Sequence, residues 1–141
     1  MNEGKTFVVT CVASGIGAET SRVLRAKGAK VIGVDRTETD NANQFFQVDL
    51  SDPASIDNLV ASLPEGLDGL INISGLPPTA PAQNVLRVNI QGLLRLTLGL
   101  VDRLADGESI ASLASLAGPK LWIKSKRLWR LILIAILLVC C

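Results

Sequence analysis

The 141-residue chain contains no histidine and no tyrosine. The first absence removes the side chain that most often acts as an acid or base near neutral pH, and the second removes the only phenol. Its three cysteines, Cys11, Cys140 and Cys141, form no framework of spaced pairs, so we expect neither a disulfide scaffold nor a metal site. Such cysteine usage is typical of a reducing compartment, and we expect a cytoplasmic location. The first residues also show no charged-then-apolar pattern, which argues against a signal peptide.

Acidic residues are missing from the last part of the chain. All 13 of them lie at or before Glu108, so residues 1–118 carry 13 acidic residues and nine basic ones. Residues 119–141 carry five basic residues and end in the apolar run 131–141. This change of composition predicts a boundary near Gly118. We therefore expect one domain over residues 1–118, long enough to bury a core, followed by a tail over residues 119–141.

Short apolar runs alternate with helical spacing along the first part of the chain. The pattern predicts strands at 6–10, 31–35, 45–48, 67–73 and 109–113, and helices at 16–27, 51–62 and 83–104. The polar stretch 37–44 is too short for a crossover helix. Apolar strands that alternate with helices favour a parallel sheet covered on both faces. Right-handed crossovers then predict a Rossmann-like, doubly wound three-layer α/β/α fold with strand order 3-2-1-4-5.

A glycine-rich turn joins the first predicted strand to the first predicted helix. Residues 10–17 read Thr-Cys-Val-Ala-Ser-Gly-Ile-Gly. Unpaired N–H groups at a helix start bind phosphate, and glycine lets the main chain approach a ligand closely. We therefore expect the pyrophosphate of a dinucleotide at Ser14, Gly15, Ile16 and Gly17. A tight turn without a ligand is the alternative.

An acidic residue follows at the end of the second predicted strand. Asp35 lies 18 residues after Gly17. A carboxylate at this place accepts both hydroxyls of an adenine ribose and repels a 2′-phosphate, which favours NAD over NADP. Arg36 weakens that preference, because a guanidinium pairs well with phosphate. A solvated loop acid is the alternative for Asp35.

Together these residues resemble the N-terminal part of a short-chain dehydrogenase/reductase. The Thr-Gly-x-x-x-Gly-x-Gly motif of that family corresponds to residues 10–17. Further matches follow in the family's order, and they are Asp49-Leu50, the segment Asn72-Ile73-Ser74-Gly75, Asn89, and Ser112. The resemblance implies cofactor contacts at Asp49, Leu50, Asn72, Ser74 and Gly75, and catalytic roles for Asn89 and Ser112. A plain strand-end serine, and a helix asparagine that binds a main-chain carbonyl, are the alternatives for the last two.

The resemblance implies NAD(P)-dependent hydride transfer between an alcohol and a ketone. In the family a Tyr-x-x-x-Lys pair on a later helix completes the active site, and this sequence contains no tyrosine. We therefore expect the 141-residue chain to be a poor catalyst or none. Cys11 stands where the family motif has its first glycine. We expect its side chain, a small hydrophobe rather than a reactive thiol, to crowd the turn and to weaken cofactor binding.

In lacking a helix at 37–44, the chain resembles the bacterial 3α-hydroxysteroid dehydrogenase/carbonyl reductase subgroup. The resemblance implies a small alcohol or ketone as the substrate of full-length relatives, no nucleic-acid partner, and homo-oligomers formed partly through the long helix at 83–104. A non-catalytic nucleotide-binding or interaction module, whose long helix packs on a partner, is the alternative function.

Residues 119–141 depart from the family pattern, which implies that the domain is truncated after its fifth strand. Three interpretations stay open. A frameshift would have replaced the family's later strands and catalytic helix, and we favour this one. The apolar run 131–141 would instead touch a membrane surface, since 11 residues cannot cross a hydrocarbon core about 30 Å thick. In the third interpretation, the tail is a last helix that covers the open edge of the sheet or pairs with a partner's edge.

Overall fold

A computed structural model describes residues 2–114 of the chain. Its strands and first two helices are β1 (Thr6–Thr10), α1 (Gly15–Ala26), β2 (Lys30–Asp35), β3 (Gln44–Gln47), α2 (Pro53–Ser62), β4 (Leu67–Asn72) and β5 (Leu104–Ser112). Between β4 and β5 runs a long helix, made of α3 (Ala82–Leu86), a π-helical segment (Arg87–Gly92) and α4 (Leu93–Val101). The predicted tail and its three interpretations lie outside the described residues.

The five strands form one parallel sheet with the order β3-β2-β1-β4-β5, which confirms the predicted topology. β1 lies at the centre, with Val8 opposite Ile32 of β2 and Leu70 of β4. All three side chains are fully buried, as expected for a parallel sheet with helices on both faces.

Successive residues of β1 belong to two different cores, because side chains alternate across a strand. Val8 joins the larger core, which includes Ile56 of α2 and Leu96 of α4. Val9 joins the smaller core on the other face, against which Leu24 of α1 packs. The sheet is thus the middle of three layers, as predicted.

No helix lies between β2 and β3, which also agrees with the sequence prediction. The loop that replaces it binds its neighbours through asparagine side chains. Asn41 Nδ2 donates to the Val12 carbonyl at 3.0 Å, and the Ser21 hydroxyl donates to the Asn41 carbonyl. Asn43 Oδ1 accepts the Val31 amide at 2.9 Å. The loop therefore fixes the turn between β1 and α1 from one side.

The predicted boundary between the long helix and β5 is wrong. We expected the helix to reach Leu104 and the strand to begin at Ser109, but the helix ends at Val101 and the strand begins at Leu104. The Arg103 amide turns back to the Leu100 carbonyl at 2.9 Å, which closes the helix with a tight last turn.

β5 pairs with β4 in two registers. Leu104 lies opposite Leu67, and Ser109 lies opposite Gly69, so β5 contains extra residues between the two pairs. Gly107 lies in that stretch with a φ of 82°, a left-handed conformation that glycine adopts without steric cost. The sequence pattern therefore identified only the second, regular part of this strand.

Within residues 2–114 we find no helix with the length and the apolar composition that a membrane crossing requires. The cytoplasmic location stays a prediction.

Candidate nucleotide-binding site

A cleft lies at the carboxyl ends of the strands, the edge at which open α/β sheets bind their ligands. Six of the predicted cofactor-binding residues line it, namely Asp35, Arg36, Asp49, Leu50, Ser74 and Gly75. Cys11 lines it as well. Ser14, Gly15, Ile16 and Gly17 form the start of α1 and are not among the lining residues.

The turn between β1 and α1 requires glycine at two positions. Gly15 has a φ of 55°, and a Cβ at Gly17 would lie 1.9 Å from the Cys11 carbonyl oxygen. Ser14 is the N-cap of α1, but its side chain makes no capping hydrogen bond. The first turn of α1 also contains no acidic residue. Its first amides are therefore free of a side-chain cap and can receive an anion.

Cys11 adopts the conformation that the family motif assigns to glycine. Its φ is 63°, and among the described residues it is the one non-glycine residue with a positive φ. The positive φ that is costly for a side chain is therefore present at this position. The weakened cofactor binding stays a prediction. Burial, and then the nearby Asp35 carboxylate, raise the pKa of the Cys11 thiol above its ordinary value of 9.0. The thiol is therefore neutral at physiological pH.

Asp35 joins the glycine turn to the loop that follows β2. Its Oδ2 accepts the Ala13 amide at 3.0 Å, and its Oδ1 accepts the Thr37 amide at 3.0 Å. A carboxylate offers about four acceptor positions. Because two of these are used by the main chain and the residue is only partly buried, two remain for hydroxyl groups in the cleft.

The far side of the cleft is built on the loop after β3. Asp49 Oδ1 accepts the Ser51 amide at 2.8 Å and the Ser51 hydroxyl at 2.7 Å. The hydroxyl first, then the amide, hold the pKa of Asp49 below its ordinary value, and the charge of Arg36 acts in the same direction. Gly92 of the long helix packs closely against this loop. A Cβ at Gly92 would lie 2.1 Å from the Leu50 carbonyl oxygen, so the contact requires glycine.

Asn72 brings β4, β5 and the long helix together. It is buried at the end of β4, and its Nδ2 donates to Thr97 Oγ1 at 3.1 Å and to Ser112 Oγ at 3.3 Å. The structure thus places the predicted Ser112 next to the predicted Asn72. Thr97 was not predicted, because a buried threonine in an apolar helix gives no signal of its own.

Thr10 connects the end of β1 to the segment after β4. Its hydroxyl accepts the amides of Ile73 and Ser74, both at 2.9 Å. No separate role was predicted for Thr10. The signal that could have found it is a hydroxyl at the end of an otherwise apolar buried strand.

Asn89 lies in the π-helical segment and holds the loop after β4. Its Oδ1 accepts the Leu76 amide at 2.7 Å, and its Nδ2 donates to the Leu76 carbonyl at 2.9 Å. A Cβ at Gly75 would lie 3.7 Å from the same amide group. The contacts described for Asn89 are therefore with the main chain of the cleft, and its catalytic role stays a prediction.

Known proteins are similar to this chain in sequence and in fold. Residues 5–125 match the family model of the short chain dehydrogenase. A coniferyl-alcohol dehydrogenase of Pseudomonas sp. (strain HR199 / DSM 7063) is 50% identical over 115 residues, which cover 81% of this chain and 45% of that protein. A 3-alpha-hydroxysteroid dehydrogenase/carbonyl reductase of Comamonas testosteroni is 31% identical over 107 residues, covering 75% of this chain and 41% of that protein.

Among solved structures, a short chain dehydrogenase/reductase family protein matches with a TM-score of 0.70 at 31% identity, covering 82% of this chain and 57% of that one. This chain spans less than half the length of the two curated relatives. The family model nevertheless covers most of the chain, and the strand order is the one that the sequence pattern predicted. The chain belongs to the short chain dehydrogenase family.

Proposed function

We propose that this chain binds NAD at the carboxyl edge of its sheet. The observation that carries the proposal is the bond between Asp35 Oδ2 and the Ala13 amide, at 3.0 Å. It joins the carboxylate and the glycine turn into one unit beside the cleft. The residues fit the cofactor, because the uncapped start of α1 suits a pyrophosphate and the free acceptor positions of Asp35 suit a ribose.

The other cleft residues supply the ends of this site. Asp49 and Leu50 would flank the adenine, and Ser74 and Gly75 would face the nicotinamide half of the cofactor. Asn72 would support that half from beneath, because its amide group binds β5 and the long helix.

We propose NAD rather than NADP because of the charge at Asp35. Both of its oxygens accept main-chain amides, so the carboxylate is fixed in place and would meet a 2′-phosphate directly. Arg36 is exposed, and its main-chain carbonyl accepts Gln47 Nε2 at 2.9 Å. Its charge also acts on Asp49, whose pKa it lowers, so we expect it to offset only part of that repulsion.

We propose an alcohol or ketone as the substrate class of the dehydrogenase to which this chain corresponds. NAD supplies the hydride chemistry when it is bound. Ser112 would contact the substrate oxygen, and Asn89 would hold the loop that borders it. The family's proton-transferring tyrosine has no counterpart in the 141 residues, so we expect this chain alone to bind cofactor but to be slower than a complete site by about a hundredfold or more.

Isothermal titration calorimetry with NAD, NADH and NADP tests the proposal. We expect the wild-type chain to bind NAD at least about tenfold more tightly than NADP, which corresponds to about 1.4 kcal/mol. Asp35→Asn should weaken NAD binding, since it removes one acceptor oxygen. It should also reduce the difference in affinity between NAD and NADP, since it removes the charge that repels a 2′-phosphate. Asp40→Asn is the matched control, because Asp40 is an exposed acid in the loop that follows Asp35 and does not line the cleft.

Two results would contradict different parts of the proposal. Absence of binding at millimolar NAD and NADH would reject the nucleotide site. Equal affinity for NAD and NADP would reject only the assigned preference. Steady reduction of NAD by an added alcohol, at a rate typical of a complete enzyme, would reject the proposed loss of turnover.

The long helix supports a second proposal, self-association. It carries an exposed apolar stripe at a spacing of four residues, namely Leu86, Ile90, Leu94 and Leu98. Contiguous exposed apolar surface marks interaction sites, and we propose a second copy of this chain as the partner. Sedimentation velocity should show a dimer that Leu98→Lys converts to a monomer without loss of NAD affinity. A wild-type monomer at high micromolar concentration would reject it.

A further inference from the structure

We propose that the Cys11 side chain sets the affinity of the nucleotide site, holding dinucleotide binding below the level that the rest of the cleft supports. This inference rests on the proposed NAD site. It adds that one residue of the site opposes the ligand that its neighbours are arranged to bind.

The main chain around Cys11 is fixed on both sides. Its amide donates to the Val34 carbonyl at 2.8 Å, which ties it to β2. Its carbonyl lies against Gly17, where a Cβ would approach the oxygen to 1.9 Å. The left-handed φ of 63° therefore cannot relax without displacing either β2 or the start of α1.

The fixed main chain also holds Cys11 at the cleft. Cys11 lines the cleft together with Asp35 of β2 and with Ser74 and Gly75 after β4. It follows the end of β1, between the two strands that carry those residues. A dinucleotide that reaches from the start of α1 to both sides of the cleft must pass this point.

The chemistry of the thiol offers the ligand little in return. Cys11 is a free cysteine, and its thiol is neutral because burial and the Asp35 carboxylate disfavour the thiolate. A neutral thiol is a weak hydrogen-bond donor, so it does not offset the volume of its Cβ and Sγ. Glycine at this position would leave that volume to the cofactor and would adopt the observed φ without strain.

The test compares the wild-type chain with Cys11→Gly and Cys11→Ser by calorimetric titration with NAD. We expect Cys11→Gly to lower the dissociation constant at least about tenfold. Cys11→Ser is the matched control, because it keeps the Cβ and a similar side-chain volume, and its dissociation constant should stay within about threefold of the wild type. Thermal melts of all three proteins verify that each is folded.

Alkylation provides an independent measurement on the wild-type protein. Trypsin releases Cys11 in the peptide of residues 6–22, so its reaction with iodoacetamide can be followed by mass spectrometry. We expect saturating NAD to slow this reaction at least about fivefold, since a bound ligand covers the thiol. Asp35→Asn, at an NAD concentration below its own dissociation constant, should show no such protection.

Each outcome decides the inference, and the proposed function is decided separately. Tighter binding by Cys11→Gly alone supports the inference, even if the wild type binds no measurable NAD. Equal binding by the wild type and Cys11→Gly overturns the inference and leaves the nucleotide site intact. Equal gains by Cys11→Gly and Cys11→Ser, or no protection of Cys11 at saturating NAD, also overturn it. Absence of binding by all three folded proteins overturns both.

Discussion

Strands β1 and β5 belong to one parallel sheet but are buried to very different extents. Val8 and Val9 of β1 are fully buried, and β1 pairs with β2 on one side and with β4 on the other. None of the residues of β5 is buried, and within residues 2–114 this strand pairs with β4 alone. The centre of the sheet, which carries the cleft, is thus enclosed by described residues, whereas no strand within residues 2–114 pairs with the outer side of β5.

The long helix shows the same contrast between its two faces. Leu96 and Leu100 are fully buried against the sheet, whereas Leu98 is 62% exposed. The leucines of this helix therefore have different roles, depending on the face on which they lie. The buried leucines hold the domain together, and the exposed ones form the surface at which we propose that a second copy of the chain binds.

The largest expected effect separates these two faces. Leu96→Ala removes a side chain from the larger core and should lower the free energy of unfolding by about 2–5 kcal/mol. Leu98→Ala changes exposed surface and should shift it by no more than about 0.5 kcal/mol in the monomer. Urea denaturation at low protein concentration measures both. Similar losses of unfolding free energy from the two variants would contradict the described difference between the two faces.

The glycine turn should be nearly as sensitive as the core. Gly17→Ala would place a Cβ 1.9 Å from the Cys11 carbonyl oxygen, so the start of α1 must move, at a cost of about 1–3 kcal/mol. Gly75→Ala is the matched control, because the nearest atom to its Cβ would be an ordinary 3.7 Å away. Denaturation midpoints compare the two. A loss from Gly75→Ala as large as that from Gly17→Ala would argue against the described turn.

The starts of α1 and α2 differ in the same way, since α2 has a side-chain cap and α1 has none. Asp52 caps α2, since its two carboxylate oxygens accept the amides of Ala54 and Ser55, each at 3.2 Å. Asp52→Ala should therefore cost about 1 kcal/mol of stability. Ser14→Ala should cost a few tenths of a kcal/mol at most without nucleotide, because the Ser14 side chain makes no capping bond. Equal costs in thermal denaturation would mean that α1 is capped after all.

The smallest expected effect concerns acid stability at the rim of the cleft. Hydrogen bonds from Ser51 hold the pKa of Asp49 below its ordinary value of 3.8 in the folded protein. The resulting stabilisation is fully present above that value and is lost as the pH falls through the lower, folded pKa. Since Asp49 is only partly buried and solvent screens its interactions, we expect less than about 0.5 kcal/mol.

Ser51→Ala tests this effect, because it removes the hydroxyl bond and should reduce the loss of stability between pH 5 and pH 3. Urea titrations at each pH give the measurement. Ser62→Ala serves as the control, since the Ser62 hydroxyl donates to the Asn58 carbonyl rather than to a carboxylate. A steeper loss in Ser51→Ala than in the wild type would have the wrong sign and would reject the assignment.

Most of the fold could be predicted because it follows from local pattern. The apolar runs and helical spacing identify β1 to β4, α1 and α2 within two residues, and the right-handed crossover rule then orders the strands. The end of the long helix could not be predicted in this way. It depends on Arg103, whose carbonyl accepts the Leu67 amide of another strand at 3.0 Å. The π-helical segment likewise contains Gly92, which packs against the Leu50 carbonyl.

The site divides along the same line. Residues that are recognisable from spacing, such as the glycine turn and Asp35, were found from the sequence, and Asp35 lines the cleft. The hydroxyl bonds of Thr10 and Thr97 were missed, because they cross between elements and depend on strand register and helix position. The spacing of residues indicates the structure of a single segment, whereas these bonds depend on how different segments pack together.

The direction of the Asn72–Ser112 hydrogen bond has a consequence for the kind of atom that this end of the sheet attracts. Asn72 is the donor in that bond, so the serine oxygen is occupied as an acceptor and its own hydrogen is not used there. Ser112 is exposed, and that hydrogen is free to turn toward the solvent side of the strand. In the proposed substrate contact, Ser112 would therefore offer its hydroxyl hydrogen to the substrate oxygen.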